Sequence, residues 1–224
     1  MILIVDYKAG NLTSVKRALD CLEIPCRIVS HGQELSDAER IIFPGVGHAG
    51  TAMAVLRERG FDTELRQAFE KGTPILGICL GAQIVLSHSE EGDTACLGLV
   101  EGDCPRFQFA NKSLKIPHMG WNEVKVTRGH FVLQDIKLGD EFYFVHSYYP
   151  QPQATQDVFA VCDYGITFPA AIGRKNLIAV QFHPEKSGRI GLNLLRNFSR
   201  RGACRHGNGG SAGTWIRYGA ASGL

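Results

Sequence analysis

The first 86 residues alternate between apolar runs and amphipathic stretches. Residues 2–6 are predicted to form a strand, because Ile2 to Val5 are an apolar run typical of a strand buried on both faces of a parallel sheet and Asp6 ends it. Leu12, Val15, Leu19 and Leu22 follow at helical spacing, after Asn11 as a candidate cap and before Pro25. The same unit recurs, with strands predicted at 26–30, 40–43 and 74–79 and helices at 52–59, 63–71 and 82–86. This alternation predicts an α/β fold with an open, mostly parallel central sheet flanked by helices.

After Leu86 the pattern changes to short strand-like runs separated by turn residues. They lie at 97–101, 123–127, 141–145, 158–162, 170–173 and 177–182. We interpret them as an antiparallel or mixed extension of the sheet. Ile190, Leu194, Leu195 and Phe198 then predict a closing amphipathic helix. Residues 1–201 are therefore expected to form one domain, followed by a disordered Gly, Ser and Arg-rich tail at 202–224.

Charge and cysteine content narrow the class of protein. All 22 acids lie at or before Glu185, whereas seven of the 24 Lys and Arg follow it. The main body is therefore acidic, which argues against nucleic-acid binding. No segment has the roughly 18 apolar residues of a membrane span, and the start does not resemble a signal peptide. Seven cysteines without a Cys-x-x-Cys pair suit neither a disulfide framework nor a zinc site, so we expect no metal and a cytoplasmic location.

Gly77-Ile78-Cys79-Leu80-Gly81 lies at the junction of a predicted strand and a predicted helix. A nucleophile between two glycines at such a junction is typical of a nucleophile elbow, whose tight turn holds the reactive side chain in the open. The amides at the start of the helix would stabilise a thiolate, and the Leu80 amide would donate to an oxyanion. A buried structural cysteine between packing glycines is the alternative for this motif taken alone.

A cysteine nucleophile needs a base, and the base needs an orienting acid. His183-Pro184-Glu185 follows a predicted strand, at the end where parallel sheets carry their sites. Glu185 is placed to fix the tautomer of His183, whose other ring nitrogen would then face Cys79. A glycine-rich turn, Pro44-Gly45-Val46-Gly47, follows a second buried strand and is a candidate for another oxyanion donor.

Several motifs together resemble the class I glutamine amidotransferases, from Met1 to about Arg200. They are Phe43-Pro44-Gly45-Val46-Gly47, Gly77-Ile78-Cys79-Leu80-Gly81-Ala82-Gln83, Ser89-Glu90-Glu91-Gly92, Pro117-His118-Met119-Gly120-Trp121-Asn122, His146-Ser147-Tyr148, His183-Pro184-Glu185-Lys186-Ser187 and the N-terminal Ile4 to Asn11. The elbow and His-Pro-Glu are shared by the whole family and specify only glutamine hydrolysis. The Pro-Gly-Val-Gly, His-Met-Gly-Trp-Asn and N-terminal motifs are more selective.

The resemblance implies that L-glutamine is the substrate and that Cys79 attacks its side-chain amide. His183, oriented by Glu185, would protonate the leaving ammonia, and the amides of Val46 and Leu80 would stabilise the oxyanion. No cofactor is implied. The residues implied to position the substrate are Gly45, Gln83, Glu91, Ser147 and Tyr148.

The selective motifs further imply a subunit of histidine biosynthesis that hands ammonia to a partner cyclase, a (β/α)8 barrel, within a heterodimer. Trp121, Asn122 and Lys186 are the residues expected at the interface with that partner.

Three other interpretations compete with this one. A paralogous amidotransferase subunit would supply another pathway, such as surface-sugar synthesis, and the Trp121 and Pro-Gly-Val-Gly motifs argue against the anthranilate and aminodeoxychorismate subunits. An α/β-hydrolase is disfavoured because its acid precedes the histidine, whereas Glu185 follows His183. A non-catalytic binding module would lack a member of the triad, and all three are present.

Overall fold

The computed structural model describes residues 1–8, 10–110 and 113–200. The tail predicted at 202–224 lies outside these residues. In chain order the strands and helices are β1 (Ile2–Val5), α1 (Leu12–Cys21), β2 (Cys26–Val29), β3 (Arg40–Gly45), α2 (Ala49–Glu58), α3 (Phe61–Lys71), β4 (Ile75–Cys79), α4 (Leu80–Ile84), β5 (His88–Ser89), β6 (Thr94–Ala95), β7 (Gly102–Cys104), β8 (His118–Glu123), β9 (Lys125–Val126), β10 (Glu141–His146), β11 (Gln151–Pro152), β12 (Val158–Asp163), β13 (Thr167–Arg174), β14 (Leu177–Val180) and α5 (Gly188–Arg200).

The central sheet has eight strands in the order β2-β1-β3-β4-β14-β13-β12-β9. The pairs from β2 to β14 are parallel, and those from β14 to β9 are antiparallel. The predicted α/β class, with a parallel core and an antiparallel extension, is confirmed. The carboxyl ends of β3, β4 and β14 are neighbours at one edge, where open parallel sheets bind ligands.

Both faces of the sheet are buried, which explains the unbroken apolar run at the start of the chain. In β1, Ile2 and Ile4 belong to one hydrophobic cluster and Leu3 and Val5 to the other, because successive side chains point to opposite faces. Helices α1 and α5 contribute to the first cluster, and α2 and α3 contribute to the second. An alternating pattern would have left one face in water.

One predicted strand is wrong. Residues 97–101 form no strand, because their amides bond to the carbonyls that end α4: Leu97 N donates to Ile84 O at 2.9 Å and Leu99 N to Val85 O at 2.9 Å. The apolar side chains Leu97, Leu99 and Val100 are nevertheless buried. Their sequence pattern therefore reported burial rather than strand pairing.

Two smaller sheets lie beside the central one. Strands β8 and β10 form an antiparallel pair, and β11-β7-β5-β6 form a four-stranded sheet. Neither was predicted as a separate sheet. Within the described ranges, no helix has the length and apolar character needed to cross a bilayer.

Candidate active site

Cys79 lies at the junction of β4 and α4 with φ 54° and ψ −107°, a backbone conformation that L-residues rarely adopt. Such strain costs of order 1–3 kcal/mol and is maintained only where the surroundings enforce it. The flanking glycines show how. A Cβ on Gly77 would lie 2.8 Å from the Cβ of Ala179, and one on Gly81 would lie 2.0 Å from the carbonyl oxygen of Phe43. The elbow predicted from the Gly-x-Cys-x-Gly pattern is therefore present in the backbone.

The thiol does not stand in the open as the elbow pattern led us to expect. Cys79 is only 5% exposed and packs with the hydrophobic cluster of α1 and α5. It contacts solvent at the floor of a cavity of about 260 Å³. The cavity is lined by Val46, Gly47, Cys79, Leu80, Gln83, Glu91, Pro117, Val145, His146, Ser147 and Tyr148. A volume just below the ~300–1,000 Å³ of drug-sized ligand pockets suits a substrate the size of an amino acid.

His183 is fully buried next to the elbow, and its partner is the predicted one. Its Nδ1 lies 2.7 Å from Oε1 of Glu185, whose side chain is also buried. Two hydrogen bonds join the segment from His183 to Ser187 to β10. The amide of His183 donates to the carbonyl of Tyr143 at 2.9 Å, and the amide of Tyr143 donates to Oγ of Ser187 at 3.0 Å. The Ser187 hydroxyl donates in turn to the His183 carbonyl at 2.6 Å. The His-Pro-Glu-Lys-Ser motif thus holds the imidazole rigidly.

The charge on His183 is set by its two acidic neighbours. Burial by itself lowers the pKa of an imidazole, but the Cys79 thiolate and the Glu185 carboxylate outweigh it and raise the pKa of His183 above its usual value. The Nε2 atom is buried and has no hydrogen-bond partner within the described part of the chain. An imidazolium opposite a thiolate is the form in which a cysteine is nucleophilic and its base can act as an acid.

Val46 and Leu80, whose amides are the predicted oxyanion donors, line the same cavity as Cys79. Leu80 is the first residue of α4, two residues earlier than the predicted helix start, and a first-turn amide has no acceptor within its own helix. Val46 follows β3 directly and is followed by Gly47 with φ +113°. This backbone conformation is open to glycine and strained for other residues. Glycine at position 47 therefore allows the Val46 amide to take orientations that a residue with a side chain at position 47 would restrict.

Four of the five predicted substrate residues line the cavity. Both amide hydrogens of Gln83 are used, by the carbonyl of Tyr148 at 2.9 Å and by Oε1 of Gln181 at 3.0 Å. Glu91 supplies negative charge, and its Oε2 accepts from the amide of Ala49 at 2.7 Å at the start of α2. The remaining two are Ser147 and Tyr148.

Gly45, the fifth, is outside the lining and pairs with Cys79 across β3 and β4. A Cβ on Gly45 would lie 1.7 Å from the hydroxyl of Tyr7. The glycine is thus required by close packing behind the nucleophile.

Two residues with no predicted role at the site contact Glu185 and Cys79. Asn11 directly precedes α1, but its side chain makes no cap and donates from Nδ2 to Oε1 of Glu185. Gln181 is fully buried, and its Nε2 lies 3.6 Å from Sγ of Cys79. Both belong to segments already noted, the N-terminal motif and the strand before His183, yet only the folded chain brings them to the site.

The predicted interface residues divide into two groups. Trp121 is 54% exposed on β8, opposite Tyr143 of β10 at a ring-centroid distance of 6.1 Å. Lys186 Nζ lies 5.7 Å from the centroid of the same Tyr143 ring. Asn122 instead uses its side chain internally, donating to the carbonyl of Asp163 at 2.9 Å and accepting from the amide of Glu123 at 2.8 Å.

Met119 extends this surface toward the cavity. It is 62% exposed and pairs with Val145, which itself lines the cavity. An exposed apolar strip therefore runs from Trp121 to the rim of the candidate site. Among residues 1–8, 10–110 and 113–200, no group of three or more His, Cys, Asp or Glu side chains is arranged to hold a metal ion.

Comparison with known proteins gives consistent matches. A family model described as glutamine amidotransferase class-I matches residues 3–201. A protein named imidazole glycerol phosphate synthase subunit HisH, from Nitratidesulfovibrio vulgaris, is 50% identical over 205 residues that cover 89% of this chain and 96% of that protein. A protein of the same name from Moorella thermoacetica is 44% identical over 211 residues, covering 93% and 98%. The solved structure of PurLQS from Thermotoga maritima has a TM-score of 0.69 at 22% identity, covering 88% of this chain and 96% of that one, and shows a shared fold.

Proposed function

This chain belongs to the class I glutamine amidotransferase family, and we propose that it is the glutaminase subunit of imidazole glycerol phosphate synthase. Relatives that match nearly its whole length carry that name. The subunit hydrolyses L-glutamine to glutamate and ammonia. The ammonia passes to a cyclase subunit, a (β/α)8 barrel, which joins it to a ribulosyl-formimino carboxamide ribonucleotide in histidine biosynthesis.

The nucleophile is Cys79. Its thiolate attacks the side-chain carbonyl carbon of glutamine, and the resulting oxyanion accepts hydrogen bonds from the amides of Leu80 and Val46. Protonated His183 gives its Nε2 proton to the leaving nitrogen, so ammonia departs and a γ-glutamyl thioester remains. Neutral His183 then removes a proton from water, the water attacks the thioester, and glutamate leaves as the thiolate is restored. Glu185 holds the Nδ1–H of the ring throughout.

Glutamine is positioned by the walls of the cavity. Glu91 supplies a negative charge for the α-ammonium group, and the Ser147–Tyr148 segment forms another wall of the cavity. Gln83 acts mainly by bracing that wall, because its amide nitrogen already donates to the Tyr148 carbonyl. Gln181 donates toward the sulfur and so stabilises the thiolate.

The partner docks on the surface that carries Trp121, Met119 and Lys186. Exposed aromatic and methionine side chains beside a charged rim are typical of interface hot spots. Because the strip ends at Val145 on the cavity rim, docking there covers the mouth of the site and leaves ammonia an exit into the partner. Asn122 stays a predicted interface residue. Its side chain is bonded within the subunit, so its effect on docking would come from holding β8 in place.

The observation that carries the proposal is that the strained Cys79 lines an amino-acid-sized cavity and has the buried His183–Glu185 pair beside it. The test is to mix the chain with the cyclase of its own organism and supply glutamine labelled with ¹⁵N at the side-chain amide. We expect glutamate release and ¹⁵N in the imidazole product, both lost with Cys79→Ala. Glutamate release stimulated by a different synthase, and not by the cyclase, would assign the chain to another pathway.

A further inference from the structure

Two buried histidines beside the cavity have no part in the mechanism above. His118 on β8 and His146 on β10 face each other in register and are 2% and 5% exposed. Nδ1 of His118 lies 3.0 Å from Nε2 of His146. Both are within motifs noted in the sequence, and His146 lines the cavity.

The partners of these rings determine the direction of each hydrogen bond. Nδ1 of His146 lies 2.7 Å from the carbonyl oxygen of Tyr148, which only accepts, so that nitrogen carries the hydrogen. In the neutral ring Nε2 is then an acceptor, and His118 must donate to it from Nδ1. Nε2 of His118 in turn accepts from Nδ2 of Asn122 at 3.5 Å. The chain runs in one direction, from Asn122 through both imidazoles to the Tyr148 carbonyl.

The surroundings keep both rings neutral and fixed. His118 is stacked between Tyr164, at 4.0 Å between ring centroids, and Phe144, at 4.8 Å. His146 packs against Phe107 and Phe168, each at 5.2 Å. Burial lowers the pKa of His118 to about 4 and that of His146 to about 3. In so apolar an environment an unmade hydrogen bond is costly, so the relay is held in one arrangement.

The hydrogen-bond chain ends at the carbonyl of Tyr148, a residue of the cavity wall that is predicted to bind the substrate. It accepts from His146 on one side and from Gln83 on the other, so both of its lone pairs are used. Gln83 also donates to Gln181, which contacts the sulfur of Cys79. This one carbonyl is therefore connected through hydrogen bonds to His118 on β8 and, by way of Gln83 and Gln181, to the sulfur of Cys79.

We propose that His118 and His146 form a positioning relay that holds the Ser147–Tyr148 wall in the geometry that binds glutamine. The inference rests on the proposed function, because it assigns to the relay a share in recognising that substrate. It gives β8, which carries the exposed Trp121, a direct mechanical link to the cavity.

The test uses covalent labelling of Cys79 in the full chain by a chloroketone analogue of glutamine, followed by intact-protein mass. Concentration dependence gives the inhibitor constant, KI, and the limiting rate, and iodoacetamide gives the reactivity of the thiol without substrate recognition. His118→Phe keeps the ring and removes both nitrogens. We expect KI to rise about tenfold, from the loss of one buried hydrogen bond, with the iodoacetamide rate within about threefold of the parent.

Matched variants separate hydrogen bonding from packing. His118→Asn places an amide nitrogen near the position of Nδ1 and is expected to restore KI to within about threefold. His118→Gln, whose amide lies one bond farther out, is a second relay-breaking variant and should behave like His118→Phe. Phe142→Leu removes a buried ring from the same strand, where it packs against Phe182 at 4.2 Å between ring centroids, so it should lower the melting temperature while leaving KI unchanged.

The relay is overturned if KI in His118→Phe and His118→Gln stays within twofold of the parent, or if Phe142→Leu raises KI as much as they do. A failure of the proposed function would look different. In that case Cys79 of the parent chain itself would react with iodoacetamide and would not be labelled by the glutamine analogue.

Discussion

The contact between Asn11 and Glu185 makes a specific prediction about how the triad is oriented. Nδ2 of Asn11 and Nδ1 of His183 both approach Oε1 of Glu185, whereas Oε2 is buried without a partner among the described residues. In Glu185→Gln, Asn11 will therefore select the amide rotamer that places oxygen at the Oε1 position. His183 keeps its tautomer, and only the negative charge is lost.

The expected losses follow from these contacts. Replacing a charged hydrogen-bond acceptor by a neutral one costs about 1–1.5 kcal/mol, so Glu185→Gln should slow glutamine hydrolysis about tenfold. Asn11→Ala leaves a symmetric carboxylate that still accepts from His183, so the loss should be no more than about threefold. In the double variant nothing prevents the amide from turning its nitrogen toward His183. The wrong tautomer then results, for which losses of about 10⁴ are typical.

Synergy in this double-mutant cycle is the quantity to measure. Independent effects would multiply to about thirtyfold, whereas tautomer reversal should cost at least about 10³. Glutamate release by the chain with its cyclase gives the rates, ¹⁵N shifts of the His183 ring report the tautomer, and melting temperatures monitor folding. A double variant within threefold of the product of the single effects, with the parent tautomer, would refute the assigned role of Asn11.

Three further outcomes are expected. Cys79→Ala should reduce glutamine hydrolysis at least ~10³-fold. Cys79→Gly should be equally inactive but should unfold at a higher denaturant concentration than Cys79→Ala, because glycine tolerates φ 54°. Equal denaturation midpoints for the two variants would contradict the backbone strain at this position. If docking of the liganded partner turns the Val46 amide toward Cys79, the added oxyanion donor should raise glutamate release ~10²-fold or more. Val46→Pro removes that amide and should abolish the stimulation while sparing partner binding, as measured by glutamate release and calorimetry. A fully stimulated variant would exclude that donor. The raised pKa of His183 stabilises the folded protein at pH values below the usual imidazole pKa, and this stability is lost as the pH rises through the pKa of the folded state. NMR should therefore show a protonated His183 ring at pH 7.5, and Cys79→Ala should lower the pKa of that ring. An unchanged titration in Cys79→Ala would show that the thiolate does not cause the raised pKa.

The fold could be predicted because burial on two faces leaves a strong local signal. β1, β4 and β14 are short apolar runs, and α1, α3 and α5 each have a helical stripe. The error at 97–101 arose because apolar side chains in a loop that packs on helix ends look the same as a strand. Which strands form separate sheets, such as β8 with β10, depends on pairing over long sequence separations, which local patterns do not encode.

The elbow at Cys79 and the contact of His183 with Glu185 could be predicted because these residues lie in local motifs with chemical meaning, whereas the residues that support them could not. Asn11 is 174 residues from Glu185, and Gln181 is 102 residues from Cys79. An asparagine before a helical stripe is normally a cap, so its local context pointed to the wrong partner. The burial of Cys79 was also missed, because the sequence shows the elbow but not the turn after β3 and the wall from β10 that cover it.

The N-terminal motif has a physical explanation that links these observations. Tyr7 fills the space behind β3 so closely that Gly45 can carry no side chain, and Asn11 reaches across to the acid of the triad. Gly10, between them, would bring a Cβ to 3.0 Å from Cγ2 of Val46, so the same segment also confines the turn that carries an oxyanion donor. A segment far from Cys79 in sequence thus supports Glu185, Gly45 and the turn after β3 together. Substitutions of Tyr7, Gly10 or Asn11 should therefore impair hydrolysis through geometry, because none of these three residues lines the cavity.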